Sequence, residues 1–128
     1  MRPLLGVVCL LLGVAIGACS SDQPPSIGVD LSEWFVRPSQ GEVRAGRVTF
    51  TAHNRSAGMV HELAILRLEN GDKTEVKEIE DISPGKSESV TVTLKPGDYE
   101  LACLIVPGEA GSAVDHYQQG MRVPFAVR

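Results

Sequence analysis

From Ile27 onward the chain shows no sustained helical period. Short runs with apolar residues at alternate positions recur instead, separated by turn residues, a pattern that predicts half-buried strands. Ile27, Val29 and Leu31 share one face of the first run. After Gly46, Val48, Phe50 and Ala52 fall on one face, and Thr49, Thr51 and His53 on the other. His61–Leu66 is apolar apart from Glu62 once past the histidine, which suits a strand buried on at least one side. Asn70-Gly71 predicts a tight hairpin into a returning strand over Thr74–Ile79. Ser83-Pro84-Gly85 and Pro96-Gly97 are turns, the first before Val90–Leu94 and the second before Tyr99–Cys103. The last run, Arg122–Val127, contains Pro124 and belongs at an edge or bulge. Trp34-Phe35-Val36 lies in a longer connection with no assigned element, and Val106–Asp115 reads as loop. The expected fold is all-β, a Greek-key sandwich or barrel of about seven to eight strands.

The period of two also gives side chains a direction. Tyr99 and Leu101 want the core, so Cys103 points inward with them at the end of its strand. His61 likewise shares a face with Leu63 and Ile65. His53 faces opposite to Phe50 and Ala52 and is expected at the surface or behind a site, while Glu62 and Asp98 are expected to face solvent.

The N-terminal segment has a different character. Met1-Arg2 precedes an apolar run from Leu4 to Ile16 that is too short for a helix crossing ~30 Å of hydrocarbon. A positive residue, an apolar middle and small residues at the end describe an export signal. Ile16-Gly17-Ala18-Cys19 resembles the lipobox of bacterial lipoproteins, which implies cleavage after residue 18 and lipid on Cys19. Acyl chains there would tether the protein to a membrane, each buried CH₂ contributing about 0.8 kcal/mol. Residues 19–26, with Pro24-Pro25, have tether composition, which leaves 27–128 for one domain. The expected location is outside the cytoplasm, anchored and facing the periplasm or the cell exterior. Loss of residues 1–18 removes only Arg2 among the charged residues and moves the formal charge from −4 to −5. No basic stripe interleaved with aromatics is present, so nucleic acid is not an expected partner.

Three cysteines occur, at positions 9, 19 and 103. With Cys9 in the signal and Cys19 lipidated, Cys103 has no partner in a compartment that oxidises thiols. It is either a small buried hydrophobe or a thiolate protected by a metal. Downstream lie His116 and Met121, upstream His61. A thiolate, two imidazoles and a thioether are the ligand set of a blue-copper site. Zinc would also accept one cysteine and two histidines, but has no redox use for the methionine.

At this point the layout resembles the cupredoxin family, in particular its sulfocyanin and plastocyanin–azurin-like members. The resemblance is carried by Val48–Asn54, His61-Glu62-Leu63, Pro96–Cys103, and His116-x-x-x-Gly120-Met121 before Phe125-Ala126-Val127. It implies a mononuclear type 1 copper with His61, Cys103 and His116 as principal ligands and Met121 as the axial one. It further implies that Asn54 ties the two ligand loops together behind the metal, and that the second histidine is exposed as the exit for the electron. One feature departs from the family: twelve residues, 104–115, separate Cys103 from His116, where its small electron carriers have a much shorter spacing. An insertion of this kind is expected to place a flap beside His116.

The function implied is a membrane-anchored electron carrier cycling Cu(II)/Cu(I), serving redox protein partners such as a cytochrome, oxidase or reductase. No general base, nucleophile or second metal cluster is evident, so an enzyme is not expected. Two alternatives stand beside it: a lipoprotein that sequesters or delivers copper, and a metal-free sandwich used in assembly or adhesion.

Overall fold

The alternation of the first runs becomes two packed sheets in the computed structural model, which describes residues 22–128. The lipobox and Cys19 lie outside the described residues. Among the described residues nine strands and one short helix form. In chain order they are β1 (Ser26–Ser32), β2 (Phe35–Pro38), β3 (Glu42–Val43), β4 (Gly46–Asn54) and β5 (His61–Glu69). They continue with β6 (Asp72–Ile82), β7 (Ser87–Leu94), β8 (Gly97–Ala102), α1 (His116–Gln119) and β9 (Arg122–Val127). One sheet has the order β2-β1-β4-β7 and the other β3-β9-β8-β5-β6. β1 runs parallel to β4, and β4 antiparallel to β7.

The expected inward residues fill the space between the sheets. Ile27, Val29, Leu31, Phe50, Leu63 and Leu101 are all fully buried. Phe50 and Phe125 meet edge-to-face across the two layers, with ring centroids 5.6 Å apart. The polar face of β4 makes hydroxyl pairs with β7: Thr49 with Thr91 and Thr51 with Ser89, each at 2.8 Å. His53 continues that outer row, its Nδ1 2.7 Å from Ser87 Oγ. Asn70 and Gly71 both adopt positive φ, 54° and 88°, as the hairpin between β5 and β6 requires.

Three expectations are revised. Trp34-Phe35-Val36 is not a long connection: Ser32 pairs with Phe35 across a two-residue turn at Glu33-Trp34, which leads directly into β2. That turn carries no glycine, proline or asparagine, so nothing in its composition marked it. The returning strand is longer than Thr74–Ile79, because pairing with β5 runs from Asp72 to Ile82 across irregularities near His61 and Ile65. His116–Gln119 forms a single helical turn where only loop was expected, capped by Asp115 and closed by Gly120 at φ 117°. Pro124 is placed as anticipated. β3 pairs with β9 only at Ala126 and Val127, leaving the Pro124 end with no paired strand on that side among the described residues.

Truncating Phe50 should therefore be expensive and truncating the outer hydroxyl row should not. Phe50→Ala is expected to cost about 3–5 kcal/mol, and Thr91→Val under about 1 kcal/mol, by urea unfolding of the protein without metal. Equal losses in the two variants would contradict the assigned core.

Candidate metal centre

His61 opens β5, and its side chain turns into the sandwich beside Leu63 and Ile65. Cys103 follows the last residue of β8 and points the same way. His116, the first residue of α1, completes the group. All three are buried: His61 and Cys103 show no exposure and His116 1%. The two Nδ1 atoms lie 3.2 Å apart, and Cys103 Sγ is 3.4 Å from His116 Nδ1 and 4.0 Å from His61 Nδ1. Three donors each at roughly 2.0–2.3 Å from a common centre would stand about 3.3–4.0 Å apart, from tetrahedral to trigonal angles. The triangle therefore has the size that one ion needs, and these three are the group of metal-ligating side chains found among the described residues.

The twelve-residue spacing does not spoil this geometry. His116 N–H donates to the Ile105 carbonyl at 2.9 Å, so the chain leaves after Ile105 and returns beside it. The excursion is braced internally: Glu109 N–H to Val106 O at 3.1 Å, Ser112 N–H to Glu109 O at 2.7 Å, and Gly108 N–H to Ser112 O at 2.9 Å. Met121 N–H donates to His116 O at 3.1 Å, and Cys103 N–H to Met121 O at 3.0 Å. Met121 is fully buried and locked by backbone to both neighbouring donors.

Electrostatics favour a bound cation over free charges. Burial, helped by His116, lowers the His61 pKa to about 4, and burial lowers that of His116 as well. Both imidazoles are therefore neutral near pH 7 and offer lone pairs. Burial raises the Cys103 thiol to about 11, so a metal must displace its proton on binding. The Glu62 N–H, 3.5 Å from Sγ, is positioned to stabilise a thiolate. Ser112 Oγ donates to Val114 O at 2.8 Å and lies 3.0 Å from His116 Nε2. It is thus placed to accept a hydrogen bond from a protonated Nε2, the tautomer that leaves Nδ1 free to ligate. His61 Nε2 is buried with no partner among the described residues, leaving Nδ1 as the ring's working atom.

The amino-acid sequence matches the family described as the cupredoxin-like domain over residues 4–112. The chain belongs to the cupredoxin-like family. The match ends before His116 and Met121, whose placement comes from the fold. Among curated proteins the chain is similar to the iron uptake system component EfeO of Escherichia coli (strain K12), 32% identical over 112 residues. That stretch covers 80% of this chain and 28% of the relative, so the chain spans just over a quarter of the proteins it matches. Among solved structures it is similar to auracyanin A, a "blue" copper protein of Chloroflexus aurantiacus. The TM-score is 0.61 at 18% identity, covering 83% of this chain and 100% of that one. Dithionite-reduced auracyanin from Roseiflexus castenholzii matches with TM-score 0.59 at 20% identity, covering 80% and 96%. Reduced rusticyanin matches with TM-score 0.56 at 21% identity, covering 80% and 78%. At these identities the likeness is one of fold. The cupredoxin-like family and the His61–Cys103–His116 donor set support one type 1 copper ion.

Three expectations are corrected, two of them implied by the cupredoxin resemblance and the third, for Glu62, read from the strand pattern. His116 is not exposed, because the 104–115 excursion folds over it and Trp34 packs on its ring, edge-to-face at 5.3 Å. Asn54 does not reach the Cys103–Met121 segment. Its amide donates to Met59 O at 2.7 Å and Ile82 O at 2.8 Å and its carbonyl accepts from Ser56 N–H, all on the His61 side. The two ligand loops are joined instead by the Glu33-Trp34 turn: Glu33 Oε1 accepts from Ser56 Oγ, while Trp34 covers His116. The signal for that role was the single tryptophan in an unassigned segment. Glu62, expected in solvent, is half-buried. It accepts from Leu104 N–H at 2.7 Å, and burial together with Glu78 raises its pKa to about 7.

The Glu33 bridge has its own titration. The Ser56 hydroxyl first, then its own N–H and Ser32, hold Glu33 down to about 2. A lowered folded value means the bridge contributes fully above the unfolded value of about 4.3 and is lost as pH falls through about 2. In Ser56→Ala, carbon-detected NMR titration should show the Glu33 carboxyl rising towards its ordinary value. A Glu33 titration unchanged by the substitution would remove Ser56 as the cause.

Proposed function

We propose that this protein is a one-electron carrier that cycles copper between Cu(II) and Cu(I) and is held at a membrane by lipid on Cys19. The observation that carries the reading is the convergence of Cys103 Sγ with two neutral imidazole Nδ1 atoms in a buried pocket. A copper ion there supplies reversible one-electron chemistry. The chain's own residues hold the donors in place through the Ile105–His116 and Met121–Cys103 hydrogen bonds, orient His116 through Ser112, and exclude water through Trp34 and the 104–115 loop. Met121, fully buried and joined by backbone hydrogen bonds to His116 and Cys103, would supply the weak thioether donor.

A carrier rather than an enzyme is supported by the closure of the site. The hollow beside His116, lined by Gly58, Met59 and Ser112 among others, measures about 50 Å³, room for a few waters and no organic substrate. Anchoring rests on the Ile16–Cys19 motif and the Pro24-Pro25 tether. No helix among the described residues is long and apolar enough to cross a membrane. The likeness to the iron uptake system component EfeO favours a place for this electron transfer in iron uptake, where the one-electron Fe(II)/Fe(III) couple is available chemistry.

Copper-loaded protein should absorb intensely towards the red end of the visible, because the Cys103 thiolate transfers charge to Cu(II). Cys103→Ser is expected to abolish that band and to lower bound copper measured by elemental analysis. A Cu(I)-delivering protein would stay colourless in air. A band and copper content unchanged in Cys103→Ser would overturn the assignment.

A further inference from the structure

The buried His116 raises the question of where an electron leaves. Electron tunnelling weakens steeply with every ångström of separation, so the exit is the place where a group touching a ligand also reaches the surface. His116 itself is closed off, at 1% exposure. Its Nε2 edge is occupied by Ser112, and behind Ser112 stands the braced 106–115 excursion. Trp34 differs. Its indole meets the His116 ring edge-to-face at 5.3 Å, and the residue is half-buried, so a π-system in contact with the ligand also meets solvent.

The indole is also held in place. Trp34 follows Glu33, whose carboxylate is fixed by Ser56 and Ser32 hydroxyls. Trp34 O lies beside Gly120, where a Cβ would stand 3.4 Å away in ordinary contact, so the turn rests against the end of α1. Tyr117 is the rival exit. It adjoins His116 in the chain, but its ring lies under Lys73 and Arg122 on the outer face of the five-stranded sheet, and its hydroxyl donates to Glu100 at 2.8 Å. Among the aromatic pairs of the described residues, only Trp34 touches the His116 ring from outside the ligand group.

Resting on the carrier reading, we propose that Trp34 is the electron port of this protein, the surface group through which the His116 side of the site exchanges electrons with its partner. One electron leaves the Cu(I) form, which becomes Cu(II), and enters a one-electron acceptor. The acceptor is a one-electron oxidant docked against the indole, and in the test it is a second copy in the Cu(II) state, which becomes Cu(I). No bond breaks and no proton moves.

The test is the electron self-exchange rate, read by NMR line broadening in mixtures of Cu(I) and Cu(II) protein at high salt. Visible spectrum and reduction potential serve as checks on the site. Trp34→Leu is expected to slow exchange tenfold or more, and Trp34→Phe, which keeps a ring over His116, to slow it severalfold with the red band retained. Self-exchange has no driving force, so a shift of potential does not enter the rate comparison, and Tyr117→Leu should leave the rate within twofold. Exchange at the wild-type rate in either Trp34 variant overturns the proposal, as does a comparable loss in Tyr117→Leu. An altered copper spectrum in both Trp34 variants also overturns it, because Trp34 would then serve to hold His116. If the wild type itself shows no red band, the carrier reading has failed before the port is tested.

Discussion

The hydrogen bond from His116 N–H to the Ile105 carbonyl decides whether this chain has a site at all. Without it, the ten residues between Ile105 and His116 would carry the second histidine away from Cys103. With it, Cys103, Leu104, Ile105 and His116 occupy the space that a short ligand loop would span. The next links follow: Met121 N–H to His116 O, then Cys103 N–H to Met121 O, closing a backbone circuit around the donors. A loop insertion costs little in closure entropy when its ends stay together. The excursion is thus tolerated at the one place where displacement would destroy the geometry.

Burial then sets the chemistry. Two imidazoles kept neutral and a thiol kept protonated form a site without net charge, so the sandwich interior need not accommodate an uncompensated ion. A bound cation arrives as the thiol proton leaves, and the charge gained is spread over soft donors. The shell around the donors works from both sides. Glu62 reaches Cys103 and Leu104 from β5, and the Glu33-Trp34 turn spans from Ser56 to His116.

Much of this was legible in the residues. Alternation alone placed Ile27, Phe50, Leu63 and Leu101 inside and sent His61 and Cys103 in with them, because a strand's side-chain period is fixed. His53 was placed outside by the same rule and lies there, bonded to Ser87. What alternation could not show is how loops close on one another. The burial of His116 depends on an excursion whose braces are backbone hydrogen bonds, invisible to any residue pattern. The Glu33-Trp34 turn lacked turn chemistry, so its bridging role passed to Asn54 by resemblance; Asn54 instead stitches the Ser56–Met59 loop to β6. Glu62 alternates to the outer face as its position requires, but that face is covered there by Leu104 and crowded by Glu78.

The claim on which everything else stands is that Cys103 and the two histidines bind one copper ion together. X-ray absorption at the copper edge of the copper-loaded protein measures that first shell directly. One short copper–sulfur distance with two copper–nitrogen distances is the expected result, and the sulfur contribution should vanish in Cys103→Ser. A shell of nitrogen and oxygen alone in the wild type would contradict the account.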